Sequence, residues 1–419
     1  MKTGKRPKFF YGYVVVLAAF IILVMTWGSI YSFGIFFKPV LIEFGWTRAA
    51  TSGAYSLFFL LLGLFAGIAG KLSDRFGPKI VVSACGLMLG SGFLLISQIS
   101  AIWQLYLCYG VILAMGASGI YVPLASTIAR WFVKSRGLIT GIALSGISVG
   151  TMIVPLVANW LIDERGWRFS YLIVGIAILL LIVSAAQFLS YDPSHRGMLA
   201  YGENMKKSEK TSLETRGSSL QETIHTRQFW IISAMFFCFG ISAQTIFAHI
   251  VPHTTDIGVS ATSAANILAV IGAGGAAGRI IIGGVADRMG NKLSLITIFI
   301  LLSIALLWLL VARSIWAFYL FAVLFGLAYG GWASLISIVV AELFGLISLG
   351  VVLGVVQIGV ATGEAIGPVL AGRIFDITGS YQPAFITCLI FSVTAIILTL
   401  FLRPIADFRK GGSIDNLLP

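Results

Sequence analysis

Charge is what this chain has least of. Asp, Glu, Lys and Arg make up 11% of its 419 residues, where a water-facing surface carries roughly 25–35%. So little charge excludes a soluble enzyme, a disordered scaffold and a disulfide-stapled secreted domain. Histidine and cysteine are as sparse, four of each. Cys85, Cys108, Cys238 and Cys388 lie in apolar runs without metal-ligand spacing. They are expected to be inert buried thiols, and no metal or cofactor is expected. No nucleophile–base grouping or phosphate-cradling loop points to an enzyme. Acids number 16 against 28 Lys and Arg, leaving a net charge of +12.

What the chain has in excess is apolar surface: 58% hydrophobic residues, 30 Phe and a mean hydropathy of +0.98. A membrane-crossing helix needs about 20 mainly apolar residues. Twelve such runs are expected at 11–40, 50–72, 79–99, 102–130, 137–161, 167–188, 229–256, 262–285, 292–310, 314–341, 349–374 and 381–402. The first is too long for a cleavable signal, and no small-residue cleavage site follows it. The N-terminus and the segments after even-numbered spans hold 21 Lys and Arg, the segments after odd-numbered spans 6, and Arg279 is left inside a span. That asymmetry is the positive-inside pattern, so both termini are expected in the cytoplasm. The basic balance thus reports topology and anionic lipid, and no nucleic-acid partner is expected.

The two halves of the sequence repeat. GKLSDRFGPK at 70–79 returns as GGVADRMGNK at 283–292, an offset of 213. The same offset carries Pro39 to Pro252, Glu43 to Asp256, Gly45 to Gly258, Asp163 to Asp376 and Gly166 to Gly379. Two six-span halves of one orientation place a cavity between them near the membrane midplane, which is a transporter architecture. The expected fold is an all-α membrane protein of twelve transmembrane helices in two six-helix halves, residues 1–188 and 229–402. A mobile cytoplasmic linker with one surface helix (189–228) and a cytoplasmic tail (403–419) complete it.

Gly70-Lys71-Leu72-Ser73-Asp74-Arg75-Phe76-Gly77-Pro78-Lys79 resembles the signature loop of the major facilitator superfamily, between helices 2 and 3. Gly283, Asp287, Arg288 and Gly290 repeat it between helices 8 and 9. The resemblance implies a loop Asp set against a helix N-terminus and an Arg paired to a neighbouring helix, both holding the cytoplasmic gate shut. Trp131-Phe132-Val133-Lys134-Ser135-Arg136-Gly137-Leu138, continuing through Gly141 and Gly146 to Gly150, looks like the helix 5 signature of monocarboxylate porters. Tyr31-Ser32-Phe33-Gly34-Ile35-Phe36-Phe37-Lys38-Pro39 suits the same group, which has the bacterial oxalate–formate exchangers as near relatives.

Arg279 lies eight residues before Asp287, about 12 Å up the helix from the loop. A cation at that depth costs about 2.5–3.5 kcal/mol on insertion scales, so it is expected to be functional, and its planar fork suits a carboxylate. Through the resemblance, Arg279 matches the carboxylate-binding arginine of helix 8. Helix 11 departs from the oxalate exchangers: it offers Gln357 and Glu364, with no Lys or Arg before Arg373. One central cation suits a monoanion better than a dianion. Mammalian monocarboxylate carriers have an acid one turn before the arginine, where Gly275 stands here. The proton must therefore travel on another group, and Asp256, Glu364 and His249 are the candidates, His249 also as a donor to substrate. Tyr31, Tyr121 and Tyr329 are candidate ligands for a hydroxyl or keto oxygen. Tyr381 is expected as an interfacial anchor. Asp163, Arg165 and Arg168 are expected as external loop structure.

The resemblance implies a proton-coupled symporter of small monocarboxylates such as lactate or pyruvate, working by alternating access in a bacterial-type plasma membrane. An oxalate–formate type antiporter is the alternative. The expected partners are a small monocarboxylate anion, a proton and membrane lipids, and the chain is expected to be a monomer.

Overall fold

A computed structural model describes residues 10–196, 198–202, 220–344 and 349–402. Nearly all of them are helical, and the helices are long and apolar enough to cross a membrane. In chain order they are α1 (Gly12–Phe44), α2 (Arg48–Phe76), α3 (Pro78–Ile96), α4 (Ile102–Trp131), α5 (136–165) and α6 (167–186). The second six are α7 (Arg227–Asp256), α8 (Ala261–Met289), α9 (Asn291–Val311), α10 (Ile315–Phe344), α11 (Leu349–Thr378) and α12 (Gln382–Leu400).

The α5–α6 boundary has a physical marker. The helical residues Arg136–Ala186 would as one rod be about 77 Å long, over twice the ~30 Å of hydrocarbon. Gly166 interrupts it at φ 83°, ψ 168°, a conformation that glycine adopts without steric cost. Past that point the Ser170 hydroxyl donates to Ala158 O at 2.9 Å. Residues twelve apart on a straight helix are ~18 Å apart, so the chain has doubled back.

The repeat is written into the backbone. Six of the seven positive-φ glycines among the described residues fall in pairs at the 213-residue offset: Gly45 with Gly258, Gly77 with Gly290, and Gly166 with Gly379. The helix caps follow: Thr47 accepts from Ala50 N at 3.2 Å, and Ser260 from Ser263 N at 3.2 Å.

α7 sits deepest, with 83% of its most apolar stretch buried against 33–61% elsewhere. The halves meet chiefly along α2 with α11 and α5 with α8. These pairs are tight at one end and apart at the other. A Cβ on Gly372 would meet Ala49 N at 2.8 Å, and one on Gly272 would meet Ser148 O at 2.6 Å. Towards the end that carries the basic loops, Gly67, Gly70, Gly141, Gly284 and Gly354 face open space. The bundle is therefore closed at the end opposite the basic loops and splayed at the basic end.

Residues 203–219 of the expected linker and the tail 403–419 lie outside the described residues. What is described of the linker includes a short helix, Leu220–Ile224, and a 3-10 turn, Pro193–Arg196. Residues near Tyr201 are hydrogen-bonded to the end of α4. Tyr201 N donates to Trp131 O and Lys134 N to Tyr201 O, both at 2.9 Å. The Arg196 guanidinium stacks 3.5 Å over the Tyr11 ring, fastening the same strap to α1.

Candidate functional site

Four of the sequence candidates converge between the halves. The hydroxyls of Tyr31 on α1 and Tyr329 on α10 lie 2.6 Å apart. The Tyr31 ring stacks on Phe247 of α7 at 4.3 Å, and Tyr329 meets Phe247 edge-on at 5.1 Å. Backbones pack closely here: a Cβ on Gly330 would run into Gly275 O. It is position 330 that has no room for a side chain there, because α10 lies against the α8 backbone; a Cβ on Gly275 itself would meet only the Ser148 hydroxyl more closely than 3.9 Å, at 3.3 Å.

Arg279 lies on the same face of α8 one turn on. Its Nη1 donates to Leu144 O on α5 of the other half, while its Nε is buried without a hydrogen-bond partner. The guanidinium charge acts on the hydroxyls of both Tyr121 and Tyr329. Its side chain is only partly exposed, so little water screens it. The result is a fixed cation with one buried donor uncommitted. That is the chemistry needed to hold one carboxylate.

Glu364 joins this cluster from α11. Gln244 Nε2 donates to its Oε1 at 3.1 Å, and Tyr55 donates to Gln244 Oε1 at 2.9 Å. The carboxyl also acts electrostatically on Tyr31 and Tyr329. Gln244 and Tyr55, both fully buried, are participants that the sequence reading missed. An amide in mid-span among apolar neighbours was the available signal, since buried amides are kept where they are bonded.

His249 is not brought to this cluster. It lies five residues beyond Gln244 on α7, ~7 Å further from the basic end, and is fully buried. Its Nε2 is 2.8 Å from Pro368 O and 3.3 Å from Ser52 Oγ, and its Nδ1 is 3.0 Å from the Tyr381 hydroxyl. With both ring nitrogens engaged, it has no site left for a ligand in this state.

Asp256 is likewise elsewhere, in the closed end. Lys38 Nζ and Arg48 Nη2 of the first half each approach one of its oxygens at 2.7 Å. Arg48 is the hub: its Nη1 donates to the Tyr381 hydroxyl at 2.6 Å, and its guanidinium stacks 3.6 Å over Phe375. Asp376 completes the closure. Its two oxygens accept from Arg48 N (3.0 Å) and Ala49 N (2.9 Å), the N-terminal amides of α2. A carboxylate at a helix N-terminus is favourable for both its hydrogen bonds and the dipole. Tyr381, 1% exposed, is thus a buried member of this network and not the interfacial anchor expected. Asp256's repeat counterpart Glu43 bonds within its own half, to Arg168 at 2.6 Å and Trp167 Nε1 at 2.6 Å.

The signature-loop residues are disengaged from the other half. Gly70 meets open space and Gly77 ends α2 at φ 82°. Asp74 lies 3.5 Å from Arg130 of its own half with its side chain 71% exposed, and Arg75 and Arg288 are exposed. The Asp287 side chain lies outside the described residues. Among the described side chains, Asp74 and Arg75 are thus not held against the other half.

The sequence signature described as Major Facilitator Superfamily matches residues 18–291 and 232–416. Monocarboxylate transporter 12 of Mus musculus is 28% identical over 425 residues, covering 96% of this chain and 87% of its own length. Monocarboxylate transporter 13 of Rattus norvegicus is 26% identical, covering 90% and 85%. Among solved structures, a bacterial homologue of the human lysosomal transporter Spinster, in an inward-facing and occupied conformation, aligns with a TM-score of 0.74. It covers 95% of this chain and 97% of its own at 17% identity, a likeness of fold alone. With twelve spans, a backbone repeat and matches running almost end to end, this chain belongs to the Major Facilitator Superfamily.

Proposed function

We propose that this protein carries small monocarboxylates together with a proton across a plasma membrane by alternating access. The observation that carries this reading is Arg279: a cation on α8 that bonds Leu144 O of the other half while its buried Nε has no partner. The likeness to monocarboxylate transporters 12 and 13 supports the same class of cargo.

The proton is assigned to Glu364, since it shares the Tyr31–Tyr329 cluster with Arg279, whereas Asp256 and His249 are occupied in the closed end. Charge accounting then gives the coupling. Arg279 with ionised Glu364 sums to zero, and so does Arg279 with a bound carboxylate and protonated Glu364. Either ligand alone leaves one uncompensated charge in a low-dielectric centre, which is costly. Anion and proton therefore each raise the other's affinity, as linkage requires. The positive-inside pattern would put the splayed end in the cytoplasm and the Asp256–Asp376 closure outside.

The test is uptake into liposomes containing the purified protein under an imposed inward proton gradient. Labelled lactate is compared with labelled oxalate, with and without a protonophore. Gradient-driven lactate uptake that the protonophore collapses is the expected result. Oxalate uptake that ignores the gradient and needs internal formate would overturn symport and leave exchange.

A further inference from the structure

The amide of Gln244 joins the two halves of the protein. Its oxygen accepts from the Tyr55 hydroxyl at 2.9 Å, and its nitrogen donates to Glu364 Oε1 at 3.1 Å. Tyr55 and Gln244 are both 0% exposed. The phenol fixes which way the amide points. Turning the amide over would set its NH2 against the phenol O–H and leave that buried donor without an acceptor, which is costly. With Tyr55 in place, Gln244 therefore offers Glu364 a donor only. The form of a carboxyl that accepts on both oxygens is the carboxylate.

The two bonds belong to different moving parts. Glu364 and Gln244 travel together, since a Cβ on Gly240 would meet Val360 O at 2.5 Å and α7 lies against α11 there. Tyr55 travels with the first half, its ring stacked on Phe33 of α1 at 4.5 Å. Along α2 the contact with α11 runs from Ala49 at the closed end to Gly63, where a Cβ would meet Ala361 Cβ at 3.0 Å, and Gly67 beyond it faces open space. Tyr55 lies on the closed-end side of Gly63, so it is on the arm that swings away when the closed end opens.

Resting on the reading of Glu364 as the carrier of the proton, we propose that Gln244 is the positioning residue that tells Glu364 which end is open. While the closed end is shut, Tyr55 holds the amide nitrogen towards a carboxylate, and the proton leaves towards the basic end. When that end opens, Tyr55 withdraws and the amide turns its oxygen to accept from a protonated carboxyl. The titratable groups about Glu364 are the phenols of Tyr31 on α1, Tyr55 on α2 and Tyr329 on α10, which stay protonated near neutrality. The nearest charged group of the cluster is Arg279 on α8, and His249, further along α7, is bonded at both ring nitrogens.

The test takes the basic end as cytoplasmic. Initial rates of labelled lactate uptake are measured in right-side-out vesicles from cells expressing the protein, less uptake in vesicles without it. Internal pH is varied at fixed external pH, then the reverse, and the midpoint of each profile is read. Midpoints do not depend on how much variant is present. Tyr55→Phe keeps the ring and loses the hydroxyl, so the amide is free in both states. Expected is an internal midpoint raised by about half to one pH unit, the three- to tenfold value of one neutral hydrogen bond, with the external midpoint unmoved. Gln244→Met bonds neither form of the carboxyl well, and should raise the internal midpoint and lower the external one. Tyr109→Phe is the control: its hydroxyl bonds Ile30 O of the same half at 3.0 Å, and neither midpoint should move. An unmoved internal midpoint in Tyr55→Phe, or an external midpoint that shifts with it, would overturn the role of Gln244 and leave Glu364 standing as the carrier. Uptake by Glu364→Gln that still follows a pH gradient would instead bring down the reading of Glu364, and this inference with it.

Discussion

Asp376→Asn should loosen the closed end. Asp376 accepts from two amides of the α2 N-terminus, one on each oxygen. Asparagine keeps one acceptor and puts a donor in place of the other, facing an N–H. A hydrogen bond to a charged group is worth about 1.5–3 kcal/mol, and a carboxylate at a helix N-terminus adds about 0.3–1 kcal/mol. Asp376 is exposed, so water screens much of that, and about 1 kcal/mol is the reasonable net loss. That shifts the closed-to-open ratio about fivefold. Ser52 reports the shift, since it is 0% exposed and bonded to His249 when the end is closed. The four native cysteines are buried, so Ser52→Cys supplies the thiol. Labelling it with a membrane-impermeant maleimide from the face opposite the basic loops should speed up about fivefold when Asp376→Asn is added. Asp163→Asn is the control: its counterpart carboxylate accepts from Asn159 of its own helix, and the rate should not move. An unchanged rate in Asp376→Asn, or equal increases in both variants, would refute the reasoning.

Arg279→Ala should fold, elute as the unaltered protein does in detergent, and lose carboxylate uptake by more than about a hundredfold, the lower bound for two charge-assisted hydrogen bonds of about 1.5–3 kcal/mol each. Glu364→Gln keeps the bond from Gln244 but cannot release a proton. Its uptake should stop responding to a pH gradient while exchange of labelled for unlabelled lactate continues, whereas unaltered symport should slow as external pH rises. Gly330→Ala drives a Cβ into Gly275 O, and overpacking of this kind costs about 1–3 kcal/mol. The lowered midpoint should show in size-exclusion profiles recorded after stepwise heating.

The spans were legible because burial in lipid is a property of composition, and a run of about twenty apolar residues is long enough to cross the hydrocarbon unaided. The α5–α6 turn was legible for the same reason, with Gly166 as its marker. Arg279 stood out because a cation inside a span is costly wherever it points. Pairing between distant helices was not legible. Lys38, Arg48, Asp256 and Asp376 look like ordinary end-of-helix charges in one dimension, and only the packing of α1 and α2 on α7 and α11 makes them one network. Tyr381 misled for a related reason. A tyrosine at a helix start suits a lipid interface as well as a protein one, and its burial comes from Phe375 and Phe385 beside it. His249 was read as a candidate because of its chemistry, while its partners Pro368 and Ser52 lie 119 and 197 residues away.

The closure built from Lys38, Arg48, Asp256 and Asp376 holds two positive and two negative charges. One elementary charge moved through a 100 mV membrane potential is worth about 2.3 kcal/mol. A group that sums to zero, and that separates near one end of the bundle, gathers almost none of that energy. Opening this end is therefore blind to voltage, however steep the potential across the membrane. Any sensitivity of transport to voltage has to arise at the centre, from the number of charges on Arg279, Glu364 and whatever lies between them.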